Sequence, residues 1–197
     1  MKGKITIITG YPHEGKTELA LHFVQKHIAS GIQCVFFSLE ISKGLFERHI
    51  CEFNKSRNLN LNDTSLLDIR DIPAIPIESI IYIVKEYLGK QIKPAVFIDY
   101  LELASSTTDG KWDYSEHMKT SLSSIRKFAD QFGLDFFIVI QARRKFKFQE
   151  KNHYTLSQIP YPDVSTYADR ILFVKPSASG HKTEFVVCKG EVADSEI

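Results

Sequence analysis

The apolar residues of this chain gather in four short runs, with longer stretches of mixed character between them. The runs are Ile5–Ile8, Cys34–Phe37, Ala95–Ile98 and Phe136–Ile140. Each is too short for a helix and reads as a buried strand. The first connecting stretch has Leu19, Ala20, Phe23, Val24 and Ile28 at helical spacing, with Gly31 as its stop. Ser42 can cap a second helix that runs to about Phe53, with Leu45, Phe46, His49 and Ile50 on one face. A polar, Asn-rich loop is expected over 54–64, a short strand over Leu66–Ile69 and a turn over Asp71–Pro76. Glu78–Leu88 is the next helix, ended by Gly89. Tyr114–Phe132 is a long one, with Met118, Leu122, Ile125, Phe128 and Ala129 inward and Gly133 as its stop.

Two segments lack periodicity. Residues 105–113 are rich in Ser, Thr, Asp and Gly and read as a mobile loop. Residues 142–165 form a long connection of the kind that is usually functional. Arg170–Val174 and Thr183–Cys188 read as two last strands. Strands that alternate with helices and are apolar throughout predict an α/β fold. The sheet should be mostly parallel, with helices on both faces. No repeat or linker divides the chain, so residues 1–197 are expected to form one domain.

Parallel sheets of this kind bind ligands beyond the carboxyl ends of their strands. The first strand runs into Gly10-Tyr11-Pro12-His13-Glu14-Gly15-Lys16-Thr17, and a helix carrying Glu18 follows. This is G-x-x-x-x-G-K-T between strand and helix, the Walker A pattern of a phosphate-binding loop. Gly10 and Gly15 allow the tight turn that aims backbone N–H groups at phosphate oxygens. The helix N-terminus adds its dipole. Lys16 is expected to reach the outer phosphates, and the Thr17 hydroxyl to ligate Mg²⁺. ATP with Mg²⁺ is the expected ligand, bound by residues 10–18.

The other strand ends carry Glu40, Asp99 and Gln141. Asp99 follows four apolar residues, the Walker B pattern, and is expected to hold Mg²⁺ through a water. Glu40 can orient or deprotonate the water that attacks the γ-phosphate, or it can merely begin the next helix. Gln141 can sense the γ-phosphate or serve as a solvated cap. Lys16, Glu40 and Gln141 are the expected catalytic residues. Glu102 is a rival acid near Asp99 but, on a continuing strand or turn, is expected to face away.

Arg143-Arg144-Lys145-Phe146-Lys147-Phe148 interleaves cations with rings. Cations can track phosphates while rings stack on bases, which points to a single-stranded nucleic acid. The other reading is an edge strand whose phenylalanines tuck inward. The net charge of +1 gives no overall attraction to nucleic acid, so affinity must come from such a local patch. Hydrophobic residues at 43% and charged residues at 25% are an ordinary globular balance. Cys34, Cys51 and Cys188 lack metal spacing and suggest reduced thiols in a cytoplasmic protein, with Cys34 and Cys188 in the core. No stretch is long enough to span a membrane.

Taken together, Gly10–Thr17, Phe37-Ser38-Leu39-Glu40, Phe97-Ile98-Asp99-Tyr100-Leu101, Gln141 and Tyr167–Phe173 resemble the ATPase core of DnaB-type replicative helicases. The likeness runs from Ile5 to about Lys189. It implies a RecA-like P-loop NTPase fold and ATP with Mg²⁺. It also implies Glu40 as catalytic acid/base and single-stranded DNA contacts in the loops after Asp99 and Gln141. Two alternatives are a regulatory or accessory ATPase acting on a protein partner, and a small-molecule kinase.

The chain also departs from that family. The family's last motif places an Arg two residues beyond a Lys, as a finger on the neighbour's nucleotide. Here Lys189 stands as the trans-acting candidate, and Glu191 occupies the Arg position. Arg170 is the other possible donor but, following Asp169 at a strand start, is expected to be paired there. The family's charged, glycine-containing loop is replaced by Ile159-Pro160-Tyr161-Pro162-Asp163. The sequence begins at the first strand, without the family's linker helix. The expectation is a monomer or weak oligomer, with any ring dependent on ATP, DNA or a partner.

Overall fold

The computed structural model describes residues 2–57, 64–104, 114–142, 156–159, 161, 163–175 and 184–191. The elements, in order, are β1 (Ile5–Gly10), α1 (Lys16–Ala29), β2 (Cys34–Ser38), α2 (Lys43–Arg57), β3 (Leu67–Arg70), α3 (Ile77–Gly89), β4 (Ala95–Asp99), α4 (Tyr114–Phe132), β5 (Phe136–Gln141), α5 (Val164–Tyr167), β6 (Arg170–Lys175) and β7 (Glu184–Lys189). The seven strands form one sheet in the order β3-β2-β4-β5-β1-β6-β7. All neighbours run parallel except β7, which returns antiparallel on β6.

Alternation along each strand divides the core between the two faces. Ile5, Ile7, Val35, Val96, Ile98, Phe136 and Ile138 share one apolar cluster with Ile80, Val84, Leu122 and Ile125 of α3 and α4. Ile8, Phe36, Phe97, Phe137 and Leu172 share the other with Leu19, Phe23 and Phe46 of α1 and α2. Register sets Phe36 opposite Phe97, and Phe97 opposite Phe137. The three rings therefore stack, with centroids 5.7 Å and 4.7 Å apart and planes within 9°. Phe46 closes one end of this row at 4.4 Å and Phe23 the other at 5.0 Å. Such aromatic contacts add to area burial, and they fix α1, which carries the glycine loop, onto the sheet.

Some local expectations are revised. The second helix continues to Arg57, past the loop start expected at 54. Its first amide, Lys43 N, is taken up by the Asp71 carboxylate at 2.8 Å, a tertiary cap. Gly89 is the last helical residue of α3 rather than its stop. The left-handed position falls at Gln91, with φ 61. Gly31 and Gly133 do adopt positive φ after α1 and α4. The long connection after β5 contains the short helix α5, which its weak periodicity did not predict. Cys34 is buried but Cys188 only half so. No helix among the described residues is long and apolar enough to cross a membrane.

At the amino-terminal edge of the sheet, Asp169 accepts hydrogen bonds from Ile5 N and from Arg126 of α4. Arg126 also donates to Gly3 O. Arg170 follows Asp169 at the start of β6 and is paired there. It is buried, donates from Nε to Thr6 Oγ1 at 2.9 Å, and lies over the Phe23 ring.

The close approach at Gly3 yields a stability test. A Cβ there would stand 2.2 Å from Leu134 O and 2.5 Å from Ala129 O, whereas at Gly89 it would meet nothing within 4 Å. Gly3→Ala is expected to cost about 1–3 kcal/mol through overpacking. Gly89→Ala is expected to be neutral or stabilising by up to about 1 kcal/mol. Denaturant midpoints at constant m-value measure both.

Candidate nucleotide-binding site

Parallel pairing aligns the carboxyl ends of β1, β5, β4 and β2. Gly10 is level with Gln141, and Ala142 N donates to Gly10 O at 3.0 Å. Ser38 is level with Asp99, and Leu39 N donates to Asp99 O at 2.8 Å. The sheet therefore sets Gly10, Gln141, Asp99 and the exposed Glu40 along one edge. The peptide between Asp99 and Tyr100 is cis.

The glycine loop spans the gap between β1 and α1. His13 and Gly15 take positive φ, 65° and 90°. Helix α1 starts at Lys16 with no side chain capping it. Its first-turn amides have no partner one turn back, so they suit the oxygens of a bound anion. Not every loop amide is available in this way. Pro12 has no N–H, and Tyr11 N donates to the Glu14 carboxylate at 2.8 Å. Glu14 thus braces the loop from within. Lys16 Nζ donates to Tyr11 O at 2.8 Å, which folds its ammonium back over the same loop.

Thr17 and Asp99, 82 residues apart in sequence, meet directly: Thr17 Oγ1 donates to Asp99 Oδ2 at 2.7 Å. Burial pushes the Asp99 carboxyl up to about 6, opposed by the Thr17 hydrogen bond and Lys16 and reinforced by Glu40. Burial also lowers the Lys16 pKa, against the pull of Asp99, Glu14, Glu102 and Glu40. One ammonium thus faces a surplus of carboxylates. Such a site suits a polyphosphate that arrives with a divalent cation. The hydroxyl and carboxylate of Thr17 and Asp99 are hard oxygen donors of the kind Mg²⁺ prefers. Among the described residues, no three His, Cys, Asp or Glu side chains form a ready-made metal cluster. Phosphate and water would complete the shell, as is usual for Mg²⁺.

Glu102 was expected to face away, and the structure corrects this. The chain leaves the strand at Asp99 and enters a 3-10 turn over Leu101–Leu103. With three residues per turn, that helix brings Glu102 round instead of alternating it outward. Its Oε1 accepts Gln141 N at 2.7 Å. Burial pushes its carboxyl up to about 7, opposed by that backbone bond and by Lys16. The signal in the sequence was the Asp-x-x-Glu spacing, which sets both acids on one side only at the three residues per turn of a 3-10 helix.

The basic-aromatic residues Arg143, Arg144, Lys145, Phe146 and Lys147 lie outside the described residues, which stop at Ala142 and resume at Leu156. Lys189 is turned onto its own chain, where Nζ donates to Ser165 O at 2.5 Å and also to Ala168 O. It lies level with Ile171, at the amino-terminal end of β6 and away from the glycine loop. A role on a neighbour's nucleotide would require release of those bonds.

The two raised acids give a pH prediction. Asp99 and Glu102 have ordinary values of 3.8 and 4.5, raised to about 6 and about 7 in the fold. Between about pH 4 and 7 the folded chain binds more protons than the unfolded one, so stability falls as pH rises through that window. With divalent metal chelated, Asp99→Asn should flatten this slope and stabilise the protein by about 3 kcal/mol at most at pH 8. Thermal melts across pH test it.

Known proteins share this architecture. A solved ATPase domain matches with TM-score 0.78 at 16% identity, over 96% of this chain and 78% of its own. A DnaB-like replicative helicase, described with its interactions with primase, matches with TM-score 0.75 at 17% identity, over 95% of this chain and 52% of its own. At such identities the likeness establishes the fold. No curated protein sequence matches the chain. The model of the DnaB-like helicase C-terminal domain matches residues 1–190. The chain belongs to that family and has its RecA-like ATPase core.

Proposed function

We propose that this chain binds ATP with Mg²⁺ at the loop of residues 10–18 and couples its hydrolysis to single-stranded DNA. The observation that carries the reading is the Thr17–Asp99 pair at the uncapped start of α1. Lys16 exchanges the Tyr11 carbonyl for phosphate oxygens. Thr17 and Asp99 hold Mg²⁺, which neutralises phosphate charge when bound. Glu40, exposed at the rim beside Asp99, orients and deprotonates the attacking water. Gln141, level with Gly10, senses the γ-phosphate at the head of the segment that carries Arg143, Arg144, Lys145, Phe146 and Lys147. Those cations and rings suit a single strand, through phosphate contacts and base stacking.

A second reading is an accessory ATPase whose nucleotide state controls a protein partner. It is favoured by the engagement of Lys189 with its own carbonyls and by Glu191 at the position of the family's finger. On either reading assembly depends on ATP, DNA or a partner, because Lys189 is engaged by its own chain and Glu191 stands in place of an Arg.

Hydrolysis measured with and without single-stranded DNA separates the two. The first reading expects stimulation that fades with salt, because phosphate contacts release counterions. Its absence at low salt, with basal hydrolysis intact, leaves the accessory reading. Lys16→Ala should abolish ATP binding in a folded protein. Glu40→Gln should retain binding and slow turnover by about 10²-fold or more. Wild-type turnover in Glu40→Gln would reduce that acid to a strand cap.

A further inference from the structure

Glu102 stands where two parts of the molecule meet. Its Oε1 holds the backbone amide of Gln141, the last residue of β5, at 2.7 Å. Its Oε2 is buried and has no hydrogen-bond partner among the described residues. Electrostatically the same carboxylate is felt by Lys16 and feels Asp99. A buried carboxylate oxygen without a donor is costly and calls for explanation. What is missing is an N–H or O–H donor, on a carboxylate three residues beyond Asp99 and within its electrostatic reach. Mg²⁺ keeps several of its waters when bound beside phosphates, and those waters are strong donors. Carboxylates that touch such waters orient the metal without ligating it.

We propose that Glu102 is a positioning residue that links the metal site to β5. Oε2 accepts a hydrogen bond from a water of the Mg²⁺ shell while Oε1 holds Gln141 N. The metal's presence is thereby relayed to the backbone from which the basic-aromatic segment departs. This rests on the reading of residues 10–18 as an ATP–Mg²⁺ site. Both carboxylate oxygens are then occupied, and the buried one loses its penalty only when the metal is loaded. The Gln141 amide is accordingly held more firmly in the loaded protein than in the empty one.

Two measurements on the full chain test this, with the slowly hydrolysed analogue ATPγS as ligand. The first is the Mg²⁺ concentration at which nucleotide affinity is half-maximal. The second is hydrogen exchange at the Gln141 amide, with and without Mg²⁺. Glu102→Gln preserves shape and an oxygen for Gln141 N but removes the charge. It should raise the half-maximal Mg²⁺ concentration by about tenfold or more and abolish the Mg²⁺-dependent slowing of exchange. Glu102→Ala should lose both that slowing and the basal protection. Unchanged Mg²⁺ dependence in folded Glu102→Gln would show a backbone brace alone and overturn the proposal. Should the variants fail to fold, the wild type decides: Gln141 exchange that does not respond to Mg²⁺ overturns it. A wild type that binds no ATPγS instead overturns the underlying nucleotide reading, before any variant is compared.

Discussion

Parallel register is the constraint on which this molecule depends. Strands that run the same way must end on the same side, so every turn at that edge is brought to one place. Gly10 lies beside Gln141 and Ser38 beside Asp99 because their strands pair in that register. Shifting one strand by a residue would invert its faces. It would also separate Phe36, Phe97 and Phe137, whose stacking depends on the same alignment. The packing of the core and the assembly of the site are thus one requirement. The 2.7 Å contact between Thr17 and Asp99 is its product.

Charge at that edge is deliberately unbalanced. Asp99, Glu14, Glu102 and Glu40 all act on Lys16. The carboxylates repel one another, and burial raises Asp99 and Glu102 further. Binding sites often retain such destabilising arrangements because a ligand relieves them. A nucleotide alone would add more negative charge, while a nucleotide carrying a divalent cation offsets it. The Thr17–Asp99 hydrogen bond holds that hydroxyl and carboxylate side by side at this edge.

Local sequence was enough wherever one residue's role follows from its own strand or loop. The apolar runs located β1, β2, β4 and β5, and the residues at their ends formed the predicted edge. It was not enough where partners come from afar. Nothing near Ser42 indicates that Asp71 would take the first amide of α2. Nothing near Asp169 indicates Arg126, 43 residues earlier. Glu102 was misread for a different reason. Neither strand alternation nor an unspecified turn fixes its direction; the three-residue period of the 3-10 turn does, and it carries the carboxylate to Gln141 N. Gly89 illustrates the same limit, because its lack of a side chain permits a stop without requiring one, and Gln91 took the left-handed position.

The far edge of the sheet is held by its own set of polar contacts, separate from the glycine loop. Lys189, near the amino-terminal end of β6, cannot act on the loop beyond β1 of its own chain without crossing the sheet. Its ammonium instead satisfies carbonyls at the end of α5, as cations do at helix C-termini. Asp169 and Arg126 tie β1, α4 and the approach to β6 together at that same edge. Were this cation to serve a nucleotide, it would be one held by another subunit. The carbonyls that hold it would then have to be given up, at a cost opposing assembly. A neighbour carrying bound polyphosphate would compensate by offering the stronger charge-assisted partner. Assembly and nucleotide binding would then favour each other by the same free energy, as linkage requires.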